Sequence, residues 1–259
     1  MDTNQIVGIG TDIYNSLPKS TQEAMLNPVA KTLGKALDGA ATVVCSPLLI
    51  LGTVSKALLH KFSDEINHKI NGIPQENRDT SKLGLVIKTM EEARYQLNED
   101  DIREMYVNLI SSTVDNRKNN FVNPRLASVI AQFGPNEADF LKTIYQQKGQ
   151  QIPFGYLNIA DNKSVNKRKV TNYLCSYDDG SYQSGKDETI DILNSLGIIE
   201  TQSDMWLSAT VYDSRYQTIE IILKKDVNEP LDENEDFELN KCYLKLNSFG
   251  RSLCHCIFE

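Results

Sequence analysis

Over much of the first 150 residues apolar positions recur every three or four residues, a spacing that predicts helices packed through one face. Phe62, Ile66 and Ile70 fall at i, i+4 and i+8, and Gly72-Ile73-Pro74 closes that helix. Two more helices are read over 81–97 and 99–114. The second carries Ile102, Met105, Tyr106, Leu109 and Ile110 as its buried stripe, with Asn98 as N-cap and Asp101 three residues on. Asn123-Pro124 opens the next helix with proline at the first helical position. Gly134-Pro135 ends it and starts another over 136–147.

Beyond residue 150 the pattern changes. A helix is read over 165–175, a flexible Asp/Gly/Ser stretch over 177–186, and a helix over 187–196 ended by Gly197. The β-branched and aromatic content of 198–201, 205–212 and 217–224 predicts three strands. An acidic loop over 228–238 and a helix over 248–258 close the chain. The order of helices, strand pair and final helix is that of a winged-helix module. The fold expected is therefore mostly α with a C-terminal α+β part. It divides into N-terminal apolar and amphipathic helices (1–72), a central helical bundle (73–150) and a winged-helix-like module (151–259).

Residues 39–55 break the pattern altogether, because they carry no ionisable group except the thiol of Cys45. A membrane-crossing helix needs roughly 17–25 apolar residues, so the run sits at the short end. Lys31 and Lys35 precede it; Lys56, His60 and Lys61 follow it, placed for basic side chains to reach headgroups. Thr42, Ser46, Leu49, Thr53 and Lys56 fall at alternating steps of four and three and line one face of a helix over 39–59. Such a hydroxyl seam suits a helix–helix contact or the lining of a small pore. Pro47 kinks the helix, a feature better tolerated in lipid than in water. The other reading is a helix buried at the centre of a soluble bundle. Ahead of the run, 1–19 reads as loops and 20–37 as a helical pattern broken at Pro28. Gly8-Ile9-Gly10 lacks the third glycine of a dinucleotide-binding turn.

Charge separates the regions. Of the net charge of −8, residues 151–259 hold eighteen acidic and eleven basic side chains, which argues against unselective duplex binding there. Five cysteines without regular spacing fit a reducing compartment, and residues 1–5 lack the basic start of a secretory signal. No hydrolase, zincin or P-loop pattern occurs, and His60, His68 and His255 read as surface or satisfied histidines, so no enzyme is expected. Cys242, Cys254, His255 and Cys256 lack the spacing of a zinc site and read as buried thiols beside a histidine, so neither metal nor cofactor is expected. Lys163, Lys167, Arg168 and Lys169 form the dense basic cluster of the acidic part, with Tyr173, Tyr177 and Tyr182 nearby; Arg117 and Lys118 form a smaller one. Cations interleaved with aromatics suit a single-stranded oligonucleotide. The bland alternative is a solvated helix face beside a tyrosine-rich turn.

Leu97-Asn98-Glu99-Asp100-Asp101-Ile102-Arg103-Glu104-Met105-Tyr106-Val107-Asn108-Leu109-Ile110-Ser111-Ser112 resembles the core signature of the bacterial abortive-infection alpha family. Similar flanks are Ile73-Pro74, Val122-Asn123-Pro124, Phe133-Gly134-Pro135-Asn136-Glu137-Ala138, Leu193-Asn194-Ser195-Leu196-Gly197-Ile198-Ile199 and Leu246-Asn247-Ser248-Phe249-Gly250. The resemblance covers about residues 60–256. Arg125 and Gly134 depart from it, standing where the family has a serine with an aromatic and a leucine–serine pair. It implies phage defence by abortive infection. The chain also resembles the membrane-channel effector of the Hailong defence system, which implies a nucleotidyltransferase partner whose DNA oligomers hold an oligomeric channel shut. The expectation is a homo-oligomeric effector at the bacterial inner membrane, its soluble domains cytoplasmic, or cytoplasmic until activated. The rival is a soluble winged-helix regulator of nucleic acid or a partner protein.

Overall fold

The computed structural model describes residues 56–259, apart from 80, 162 and 164–166. The helix read over 20–37, the run at 39–55 and the seam residues Thr42, Ser46, Leu49 and Thr53 lie outside the described residues. The chain divides into two compact units. One takes the described residues up to Pro135 together with His255–Glu259, and the other is Asn136–Cys254. About half of the described residues are helical. Among them no helix is long and apolar enough to cross a membrane.

The first unit is built on α1 (Lys56–Asn71), α2 (Leu83–Ala93), α3 (Asp100–Thr113) and α4 (Arg125–Ile130). α3 is central, with α1, α2 and α4 packed against it. Leu59, Phe62, Ile66 and Ile70 form the buried row of α1, in the phase their spacing requires. Leu59, which the membrane reading had placed at the end of 39–59, thus belongs to the core of this unit. Ile102, Met105, Tyr106, Leu109 and Ile110 of α3 are all buried. Asn98 is not the N-cap. That position falls to Glu99, whose side chain makes no capping bond. The start of α3 is instead fixed by the buried Arg103, which donates to Leu97 O at 2.9 Å, to Glu65 Oε2 at 3.0 Å and to Asp100. Asn123 Oδ1 accepts from Arg125 N at 2.9 Å and so caps α4, with Pro124 one position ahead of the helix.

The second unit follows α5 (Pro135–Gln146) with a six-stranded antiparallel sheet. β1 (Gln151–Asp161) pairs along its whole length with β6 (Glu235–Leu246), from Gln151↔Lys245 to Asp161↔Glu235. β3 (Leu174–Ser176) and β4 (Tyr182–Ser184) extend the sheet beyond β1, and β5 (Ile199–Gln202) borders β6. β2 (Lys167–Lys169) pairs with the far end of β1. α6 (Asp187–Ser195) packs on β5, and α7 (Thr210–Asp226) crosses β1 and β3. Tyr216, Ile219 and Leu223 of α7 meet Leu157 and Leu174 in one core. Gly155 makes that approach possible, since a Cβ there would stand 3.2 Å from Ile219 Cγ2 and 3.0 Å from Leu239 Cδ1. α8 (Ser248–Phe258) is entered through Asn247, whose Oδ1 accepts from Gly250 N at 2.8 Å and whose Nδ2 donates to Gly197 O.

This architecture is not a winged helix. Residues 205–212 and 217–224, read as strands, are a loop and α7. Their β-branched residues misled, while the buried Tyr216, Ile219 and Leu223 at i, i+3 and i+7 mark a helix face. The helix read over 165–175 is replaced by β2, the start of β3 and the chain between them. β1, the longest partner of β6, is not among the expected elements, and β6 begins inside the acidic stretch expected as loop. Each of these strands is defined by a partner distant in sequence, which local propensity does not register.

Candidate ligand-binding face

β1 and β2 run antiparallel with Asn158 opposite Lys169, Ile159 opposite Arg168 and Ala160 opposite Lys167. Side chains alternate along a strand, so Lys167 and Lys169 share one face of the sheet and Arg168 takes the other. The first face is the informative one. Lys169 Nζ lies 3.6 Å from the centre of the Tyr173 ring and 5.1 Å from that of Tyr156. The two rings are tilted, with centroids 5.5 Å apart, and Tyr173 packs on Phe154 at 4.9 Å. Asp187, in the first turn of α6, ties the cluster together: Oδ1 meets Lys169 Nζ at 2.7 Å and Oδ2 accepts from Tyr173 N at 3.0 Å. Burial raises the pKa of both phenols, reinforced at Tyr173 by the carboxylates of Asp191 and Asp187 and at Tyr156 by Cys242 and Asp204. The rings therefore stay neutral at physiological pH and present stacking faces with hydroxyl donors.

Each basic side chain of β2 already faces a carboxylate. Lys167 Nζ stands 2.7 Å from Glu238 Oε1 and Arg168 Nη1 3.4 Å from Glu229 Oε2, all about half exposed. Exposed pairs of this kind contribute at most about 1 kcal/mol, so an incoming anion can exchange with the carboxylate at little cost. Lys163 is exposed in the turn after β1, where its N–H donates to Asp161 Oδ1. Tyr177 is buried, and its hydroxyl donates to Gln183 Oε1 at 3.0 Å.

Arg117 and Lys118 belong to the first unit, and both are engaged there. Asp115 caps the turn at Asn116–Lys118, accepting from Arg117 N and from the Arg117 guanidinium at 2.6 Å. That guanidinium holds the Asp115 carboxyl below the usual range. Lys118 Nζ donates to His255 O at 3.4 Å, and Phe121 packs on the His255 ring at 4.1 Å. These contacts belong to a larger capture of the chain's end. Asn108 Nδ2 donates to Ile257 O and Ser112 Oγ to Cys256 O, both at 2.8 Å, answering carbonyls that the last turn of α8 leaves free. Of the pore-seam residues, only Lys56 is described, as the first residue of α1.

The structure thus brings together Lys169 and Tyr173 from the cluster read in the sequence, with Lys167 on the same face. It adds Tyr156 and Asp187, which no sequence spacing signals. Cys175, Cys242, Cys254 and Cys256 are buried thiols outside any disulfide, and burial pushes Cys242 and Cys256 up to about 11 and Cys175 up to about 12. His255 Nδ1 lies 2.6 Å from Glu259 Oε2.

One unit is helical and holds residues 255–259 against α3; the other carries an antiparallel sheet with an aromatic and basic face, so the chain is a two-unit α and α+β protein. The family model described as abortive infection alpha matches residues 55–257. The chain belongs to the abortive infection alpha family, which points to an abortive-infection, antiphage role. No curated protein and no solved structure matches it.

Proposed function

We propose that this protein is the membrane-acting effector of an abortive-infection system. Several copies assemble through the helix over 39–55 into a channel in the bacterial inner membrane, and the two folded units gate it from the cytoplasm. The observation that carries this reading is the uncharged run itself, joined to the folded units directly through α1. At about 1.5 Å per residue, its seventeen residues extend roughly 25 Å, short of a hydrocarbon core of roughly 30 Å. A short helix with a hydroxyl seam is better served by company than alone. With Thr42, Ser46, Leu49 and Thr53 facing inward, several copies line a polar path that one helix cannot enclose. The assembly is not an enzyme.

The gating ligand on this reading is a short single-stranded DNA oligomer supplied by a nucleotidyltransferase partner. Its bases stack on Tyr173 and Tyr156, while its phosphates take Lys167 and Lys169 from their carboxylates and Arg168, on the other face, adds charge at the sheet edge. The surrounding acidic surface favours a short ligand over long duplex. Purified full-length chain is expected to release dye from loaded vesicles, and short single-stranded DNA is expected to suppress the release. Replacing Lys167, Arg168 and Lys169 by Glu weakens that suppression and flattens its salt dependence. Intact vesicles in the presence of folded protein overturn the channel; unchanged suppression by the triple variant removes this face from the ligand site.

A further inference from the structure

α1 holds two buried polar side chains that nothing else described answers. Ser63 is 4% exposed and Asn67 is 7% exposed, one helical turn apart beside the apolar row of Phe62, Ile66 and Ile70. Ser63 Oγ and both Oδ1 and Nδ2 of Asn67 lack a hydrogen-bond partner among the described residues. Among the described residues the other orphaned side-chain atoms, on Arg94, Asn119 and Ser176, lie outside the helical spans. Thr89 and Thr113 return their hydroxyls to Leu85 O and Leu109 O, both at 2.7 Å, and Ser252 returns its own to Ser248 O. The nearest comparison is the Asn108/Ser112 pair of α3, which has the same two residue types four positions apart. Both of its side chains are bonded to backbone carbonyls. A desolvated amide without a partner subtracts from the apolar packing beside it. α1 is otherwise fastened to α3 by Lys61–Asp100, exposed on both sides, and by Glu65–Arg103.

We propose that α1 is a releasable element. It opens from α3 ahead of the rest of the first unit because Ser63 and Asn67 recover hydrogen bonds to water when it does. The order of the chain gives this release a use, which rests on the membrane reading above. The covalent path from residues 39–55 to the rest of the first unit runs through Lys56–Asn71. An α1 that detaches at low cost couples the two. An α1 packed as firmly as α3 would hold the run in one state.

The test is amide hydrogen exchange on the full-length chain without vesicles, followed by dye release with them. Amides of 62–70 are expected to exchange at least tenfold faster than those of α3. S63A/N67L is expected to slow them about tenfold while leaving α3 unchanged, and to reduce dye release several-fold. S63A/N67A guards against overpacking by leucine. Asp64→Ala, on the exposed side of α1, controls for helix propensity and is expected to change exchange less than threefold. Equal exchange of α1 and α3, or exchange in α1 that ignores both double variants, overturns the proposal. Dye release that persists undiminished while α1 exchange slows overturns the coupling. Fast, variant-sensitive exchange in a chain that never releases dye supports the releasable helix and overturns the membrane reading alone.

Discussion

Asn108 and Ser112 of α3 hold backbone carbonyls at 2.8 Å in a buried setting, whereas Lys167 and Arg168 of β2 hold carboxylates at 2.7 and 3.4 Å with about half of each side chain in solvent. The residues are polar in both places, yet they contribute differently. In the first unit the polar groups replace the water that free helix-end carbonyls would otherwise bind, so removing one strands its partner. On the sheet face each charge keeps much of its hydration with or without its partner. α3 has committed these polar groups to the fold; the sheet face has kept its own exchangeable.

The sharpest way to break the comparison is to damage the second unit where it is as tightly committed as the first. A Cβ added at Gly250 would stand 2.1 Å from Ile198 O, which only backbone movement relieves. Gly250→Ala is expected to cost about 3 kcal/mol, read as a lowered urea midpoint. Asn108→Ala comes next, at about 2 kcal/mol, because Ile257 O is left buried and unpaired. In that variant, exchange is expected to rise first at the C-terminal residues. A loss below about 0.5 kcal/mol would put Asn108 in the same class as the surface lysines.

Acid sharpens the contrast. Asp79 accepts from Asn119 Nδ2 at 3.0 Å and from Ser81 N at 2.8 Å, and these bonds hold its carboxyl at about 2. A carboxyl depressed by folding stabilises above its unfolded value near 4 and loses that contribution as pH falls toward 2. Asp115 shifts in the same direction through Arg117. The first unit is therefore expected to weaken between about pH 4 and pH 2. Asn119→Ala is expected to move the Asp79 titration upward, as followed by carboxyl chemical shifts. The smallest effect belongs to the sheet face. Lys167→Gln is expected to change stability by no more than about 0.5 kcal/mol while weakening oligonucleotide binding several-fold.

The same division explains what the sequence discloses. α1 and α3 are legible because their buried rows repeat within the helix, as Phe62-Ile66-Ile70 shows. The cap of α3 is not, because Arg103 fixes that end through Glu65, on another helix. The sheet is illegible for a stronger version of the same reason: Gln151 finds its partner in Lys245, and nothing near either residue announces it. In α7 the β-branched residues favour a strand by local propensity and mask the helical spacing of Tyr216, Ile219 and Leu223. Of the candidate face, Lys169 and Tyr173 stand close in sequence and could be paired by eye. Tyr156 and Asp187 reach them only after β1, β2 and α6 are assembled.

The claim on which the functional account stands is that residues 39–55 line a pore when copies assemble in lipid. Planar-bilayer recording of the purified full-length chain tests it most directly, comparing the native protein with Ser46→Lys. The account predicts discrete conductance steps whose size and ion preference change when a positive charge enters the seam. Silent bilayers with folded protein, or steps identical in the two proteins, would contradict it.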